Sequence, residues 1–187
     1  MTQTKQAGAV LAAIVFMSLP LAATPVLADP GHGPASTEGV DMGVEGSPSD
    51  VSRIVRVEMY DNYFEPDTID VQAGETIRFI VSNDGVLIHE FNIGTFEMNA
   101  AHQEEMRMLM QGGVILADRI DQDAVVAMMA SMGHGLHDDP NSVLLEPGET
   151  SEIIWTFPED TSISLEYGCN VPGHYEAGMV GQFGLMQ

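Results

Sequence analysis

The stretch Ile163–Met179, ISLEYGCNVPGHYEAGM, changes character halfway along. In its first half Ile163, Leu165, Tyr167 and Cys169 alternate with Ser164, Glu166 and Gly168, the period-two pattern of a strand with one buried face. The second half abandons that pattern for Pro172, Gly173 and Gly178, residue types that make bends. Cys169 is the single cysteine of the chain, and His174 and Met179 follow it at intervals of five. A strand therefore delivers the only thiol to the mouth of a bent loop that also holds an imidazole and a thioether.

Working outward, the same period recurs. Val55, Val57 and Met59 alternate with Arg56 and Glu58, and Ile77, Phe79 and Val81 with Thr76 and Arg78. Leu87, His89, Phe91 and Ile93 share one face with Glu90 and Asn92 opposite, and Ile153, Trp155 and Phe157 repeat the pattern. Turn-forming triplets punctuate these runs: Ala73-Gly74-Glu75, Asn83-Asp84-Gly85, Pro147-Gly148-Glu149 and Pro158-Glu159-Asp160. Several short strands so separated predict an all-β chain folded as a β-sandwich or barrel. Residues 95–142 depart from it. EMNAAHQEEMRMLMQ and DQDAVVAMMASM carry good helix formers at helical spacing, with Gly112-Gly113 and GHGLHDDPN as breaks. A segment this long is too long for a structureless loop, so a helical insertion between two strands is expected.

The 187 residues are one domain's worth with an appendage, and 44% hydrophobic composition supplies a core. Twenty-eight acidic residues stand against six basic ones, a formal charge of −22. Such a surface repels nucleic acid and anionic membrane and admits cations or a basic protein partner; a salty habitat produces the same composition. At the N-terminus, Lys5 precedes the apolar run Ala7–Ala23, and Val26-Leu27-Ala28 fits a small-x-small cleavage site. Pro20 interrupts the run, Pro25 follows it and no basic stop-transfer cluster comes after, so residues 1–28 read as an export signal rather than a membrane anchor. Residues 29–50, rich in Gly, Pro, Ser and acid, read as a flexible leader, and 51–187 as the folded domain. An exported protein with one cysteine makes no internal disulfide.

Alternation places both His89 and Cys169 on inward faces. Taken singly, each has an ordinary explanation: a core histidine bonded to a carbonyl, an inert buried thiol, a turn at Pro172-Gly173, a core methionine. Taken together they form a soft thiolate, two imidazoles and a thioether, the His₂Cys set with weak axial Met that mononuclear copper electron-transfer sites use. Structural zinc sites rarely use a thioether.

The chain resembles the cupredoxins, the small copper proteins of the plastocyanin–azurin superfamily. The resemblance covers residues 51–94 and 143–187, in FEPDTIDVQAGETIRFIVSNDG, LIHEFNIG and YGCNVPGHYEAGMVG, the last with C-x₄-H-x₄-M spacing. With DPNSVLLEPGET and the Met/His-rich insertion it is similar to bacterial periplasmic copper-tolerance cupredoxins, the CopI-like group. The resemblance implies a Greek-key fold, a periplasmic location and one type 1 copper held by His89, Cys169, His174 and Met179. It also shows a departure: many cupredoxins carry Asn after the first histidine, tying the ligand loops together, where this chain has Glu90. Asn170 is a candidate for that tie.

Three functions follow. Copper handling in the periplasm, with copper ions and a copper-handling protein as partners, and electron transfer with a basic redox partner share this site. An enzyme is disfavoured, because paired His-x-His motifs for a trinuclear copper cluster and a second cysteine for a dinuclear one are missing. Within the insertion, Met98, His102, Met106 and Met110 are spaced by four, Met128, Met129 and Met132 follow, and His134 and His137 lie beyond. Thioether and imidazole suit Cu(I), which makes this a candidate second copper region; a methionine stripe packed on a barrel wall is the alternative.

Overall fold

In this computed structural model, residues 40–132 and 139–187 are described. The alternating runs become strands whose apolar faces meet. The first sheet has β1 (Val44–Glu45), β8 (Thr150–Thr156), β5 (Thr76–Asn83), β2 (Arg53–Tyr60) and β3 (Tyr63–Glu65), in that order. The second has β4 (Thr68–Gln72), β10 (Val180–Met186), β9 (Glu166–Gly168), β6 (His89–Gly94) and β7 (Ser142–Leu145). Both sheets are mixed: β2 runs parallel to β5, β4 parallel to β10, and the other pairs are antiparallel. Val57, Met59, Ile77, Phe79, Val81, Ile153 and Trp155, the inward members of the predicted alternation, are all buried. They pack on Phe91, Tyr167 and Phe183 of the facing sheet, with Phe79–Phe91 ring centroids 5.5 Å apart and Tyr167–Phe183 4.9 Å. Rings at these separations add to the area they remove from water.

Two boundaries differ from the sequence expectation. The leader was expected to run through residue 50, yet Val44 and Glu45 pair with Thr156 and Trp155, and the Trp155 indole N–H donates to the Met42 carbonyl at 3.0 Å. The exposed edge of β8 supplies the backbone partners that the leader's composition could not reveal. At the other end, the alternating run 163–169 forms regular strand only over Glu166–Gly168. Cys169 follows the strand, and its backbone N–H donates to the Met179 carbonyl at 3.1 Å. The expected export signal, residues 1–28, lies outside the described residues; among those described, no helix is long and apolar enough to cross a membrane.

The insertion is helical, as expected, and joins neighbouring strands. The chain leaves β6, forms α1 (Phe96–Gln111) and α2 (Gln122–Met132), and returns as β7, which pairs with β6 from His89↔Leu145 to Asn92↔Ser142. Thr95 caps α1, its side chain accepting from the Met98 N–H. A stripe spaced by four drifts about 40° per step on a helix of 3.6 residues per turn, so Met98–Met110 does not form one face. The inward face is instead Asn99, His102, Met106 and Leu109; Met98 and Met110 lie half-buried at its margins. The face of β6 expected to meet solvent is covered in consequence: all six residues of the strand are buried, Glu90 and Asn92 included.

Candidate metal centre

Three elements converge at one end of the sandwich. His89 opens β6, Cys169 follows β9, and His174 lies in the loop before β10. One ligand atom from each falls within 4.8 Å of the other two. Cys169 Sγ is 3.9 Å from His89 Nδ1 and 3.4 Å from His174 Nδ1, and the two Nδ1 atoms are 3.2 Å apart. Cys169 and His89 are fully buried, and His174 is half-buried.

The loop holds its shape through its own backbone. The N–H of His174 donates to Val171 O at 3.0 Å, that of Gly178 to Tyr175 O at 2.9 Å, and that of Met179 to His174 O at 3.0 Å. Gly173 and Gly178 supply the positive φ angles of +93° and +99° that these bends need. Met179 is fully buried, and its backbone touches both His174 and Cys169.

Each donor is prepared for a cation. His89 Nε2 lies 3.0 Å from Asp61 Oδ1. An ionised carboxylate only accepts, so the His89 proton sits on Nε2 and the Nδ1 lone pair faces Cys169 and His174. Burial holds His89 below the ordinary imidazole range, and burial with His89 alongside pulls His174 down to about 4, so both rings are neutral donors at neutral pH. Burial pushes the Cys169 thiol up to about 12, while the Glu90 N–H, 3.3 Å from Sγ, offers a hydrogen bond that favours the thiolate. One thiol and two neutral imidazoles, buried and aimed at a common point, fit a thiophilic metal such as copper.

Glu90 replaces the missing asparagine tie. Its Oε2 accepts from the backbone N–H of Asn170 at 3.2 Å and from Asn170 Nδ2 at 3.0 Å, joining the His89 strand to the Cys169 loop. Its Oε1 accepts from His102 Nε2 at 2.8 Å and from Ser142 Oγ at 3.0 Å. Asp61 was not singled out in the sequence; with Asn62 it forms the turn between β2 and β3.

The candidate second region is dispersed differently. Met106 is buried in the core, His102 is paired with Glu90 and with Glu105 (Nδ1–Oε2 3.3 Å), and Met98 and Met110 are half-buried. His134 and His137 lie outside the described residues.

Comparison with known proteins agrees with this geometry. The family model of copper-binding proteins of the plastocyanin/azurin family matches residues 52–185. The copper-resistant cuproprotein CopI of Pseudomonas aeruginosa is 45% identical over 166 residues, covering 83% of this chain and 84% of that one. CopI of Rubrivivax gelatinosus is 35% identical over 171 residues, 87% and 88% of the two chains. The solved structure of auracyanin B shares the fold, with a TM-score of 0.53 at 20% identity over 79% of this chain and 96% of that one. A C-x₄-H-x₄-M loop, a buried His89 beside it on the neighbouring strand of the same sheet and these relatives together establish that the chain belongs to the plastocyanin/azurin family of copper-binding proteins, as a CopI-like cupredoxin.

Proposed function

We propose that this protein is an exported copper-handling cupredoxin that binds one redox-active copper through His89, Cys169, His174 and Met179 and lowers the toxicity of copper in the periplasm. The observation that carries the reading is the meeting of Cys169 Sγ with the two imidazole Nδ1 atoms in a buried cluster. Similarity to copper-resistant cuproproteins supports the handling role, and the apolar run Ala7–Ala23 before Val26-Leu27-Ala28 supports export. Copper bound by such donors supplies interconversion between Cu(I) and Cu(II). His89 and His174 give neutral nitrogen donors, Cys169 gives the thiolate, Met179 the weak thioether, and the surrounding core excludes water.

Electron transfer between respiratory partners is the second reading. Its support is that His174 is only half-buried while His89 and Cys169 are sealed, which leaves an imidazole edge near the surface. Copper stoichiometry and visible spectra of the mature protein test the site. One copper with intense thiolate-to-copper bands is expected, and Cys169→Ser removes the bands; a colourless Cu(II)-loaded protein rejects the site. Gene deletion separates the roles. Copper sensitivity with intact respiration supports handling, and a respiratory defect with normal copper tolerance supports electron transfer.

A further inference from the structure

The buried surface between α1 and β6 is polar, beside a largely apolar core. Glu90, Asn92, Asn99, Asn141, Ser142, Glu166 and Asn170 are all buried there. Groups so placed cost several kcal/mol each unless they are hydrogen-bonded, and these are connected into one network. Asn99 Oδ1 accepts from Asn92 Nδ2 at 2.8 Å and from Asn170 Nδ2 at 3.0 Å, and its own Nδ2 donates to Glu166 Oε1 at 2.9 Å. The same Glu166 oxygen accepts from the Tyr175 hydroxyl at 2.6 Å. His102, one turn further along α1, donates to Glu90, whose other oxygen takes both Asn170 donors. The network thus has two ends. One is the inward face of α1, at Asn99 and His102. The other lies beside the candidate ligands: Glu90 follows His89 and presents its N–H to Cys169 Sγ, Asn170 follows Cys169, and Tyr175 follows His174.

We propose that α1 is a built-in tuning element of the copper centre, with His102 and Asn99 as positioning residues that act through Glu90 and Asn170 on the thiolate of Cys169. The inference rests on the copper-site reading above. Three physical effects carry it. The Glu90 N–H···Sγ bond withdraws electron density from the sulfur, and its geometry follows the placement of Glu90, whose side chain is gripped by His102, Ser142 and Asn170. Next, Glu90 is a fully buried acid beside the candidate ligands, and His102 Nε2 is bonded to its Oε1 at 2.8 Å. Burial alone would lower the pKa of His102, but Glu90 and Glu105 outweigh that and push it up to about 10. Without His102 the Glu90 side chain loses one of the bonds that hold it, and the backbone N–H that Glu90 presents to Sγ shifts with it. Lastly, Asn99 fixes the turn at Asn170 and, through Glu166, the ring of Tyr175, so α1 constrains the ligand loop on both sides of its bend.

A double-mutant cycle on the full-length copper-loaded protein tests this, read by reduction potential, visible spectrum and melting temperature. His102→Leu is expected to lower the potential and change the ratio of the visible bands at an unchanged one-copper stoichiometry. In a Glu90→Gln background the same replacement should no longer move the potential, since the carboxylate that His102 grips is gone. Where His102→Leu does not fold, His102→Gln keeps a hydrogen-bond donor, loses the imidazole and is expected to lower the potential in the same sense. A variant that melts earlier with potential and spectrum at wild-type values overturns the proposal, as does an equal shift in the Glu90→Gln background. A wild type without thiolate bands rejects the copper reading itself, which a silent His102 variant does not.

Discussion

Asp61 Oδ1 lies 3.0 Å from His89 Nε2 and also faces the backbone N–H groups of Val86 and Leu87 at 3.1 and 3.3 Å. One oxygen thereby fixes both the tautomer of a candidate ligand and the loop that leads into its strand. A partner on the far ring nitrogen raises the donor strength of the near one and typically carries 10–100-fold, on the order of that range, in metal affinity. Asp61→Ala is expected to weaken copper binding by roughly that factor with little change in fold, because the side chain is partly exposed. Competition with a copper chelator and a melting curve measure the two quantities; unchanged affinity would show that the bond does not orient His89.

Gly85 occupies the narrow space beside this pair. A Cβ there would stand 2.5 Å from Asp61 Oδ1 and 2.9 Å from His89 Nε2, nearer than atoms can approach. Gly85→Ala must push the carboxylate from the imidazole or shift the loop. It should reproduce the affinity loss of Asp61→Ala, and the two together should lose little more than either alone, since both break one bond. Fully additive losses would place the effect of Gly85 elsewhere.

The weak thioether donation proposed for Met179 would have its own signature. Met179→Leu preserves volume and leaves the thiolate and both imidazoles, so copper and colour should persist. Loss of a donor to Cu(II) should raise the reduction potential. Complete loss of copper would mean that Met179 holds the site by some other route, such as the backbone bonds from its N–H to His174 and from Cys169 to its carbonyl.

Much of this architecture was legible because burial and period two coincide wherever a strand has one solvated face: Val57, Met59, Ile77, Phe79 and Val81 all lie where alternation put them. His89 and Cys169 of the cluster were legible for a related reason, since a histidine and a cysteine on apolar faces need a polar destination; His174 was legible only from its spacing within the bent loop. Glu90 and Asn92 were not, because period two says only that they oppose Phe91; nothing local reveals that an insertion later in the chain covers that face. Asp61 was hidden for a different reason. It reaches His89 across 28 residues, from a turn whose own sequence requires only a turn former. The methionine spacing did not mark the inward face, because steps of four overshoot the helical period and the buried face settles on Asn99, His102, Met106 and Leu109.

Met106 offers a direct reading of that last difference. It is fully buried in the core, so Met106→Ala should destabilise the fold by about 2–5 kcal/mol through lost burial and a residual cavity. Met110→Ala, at the half-buried margin, should cost less. Neither should change copper stoichiometry if these side chains are packing. Retained stability with one fewer Cu(I) bound in the Met106 variant would instead restore the stripe as a ligand set.

Copper binding should release protons in a predictable number. With both imidazoles held below their ordinary range, the metal-free histidines carry no proton that binding must expel at neutral pH. The Cys169 thiol, pushed up to about 12 by burial, does. A group protonated in the free state and deprotonated in the complex makes affinity rise with pH, with unit slope while the pH stays below its free-state pKa. Between about pH 7 and about pH 9, then, one proton should leave per copper and affinity should rise about tenfold per pH unit. Below that window the imidazoles begin to protonate, His174 only near pH 4, so the slope should steepen towards acid. Competition with a Cu(I) chelator, corrected for the chelator's own protonation, measures the slope. A flat profile across the window would show either that Cys169 is already a thiolate in the metal-free protein or that it is not a ligand, and Cys169→Ser separates the two: copper affinity falls in the first case and is unchanged in the second.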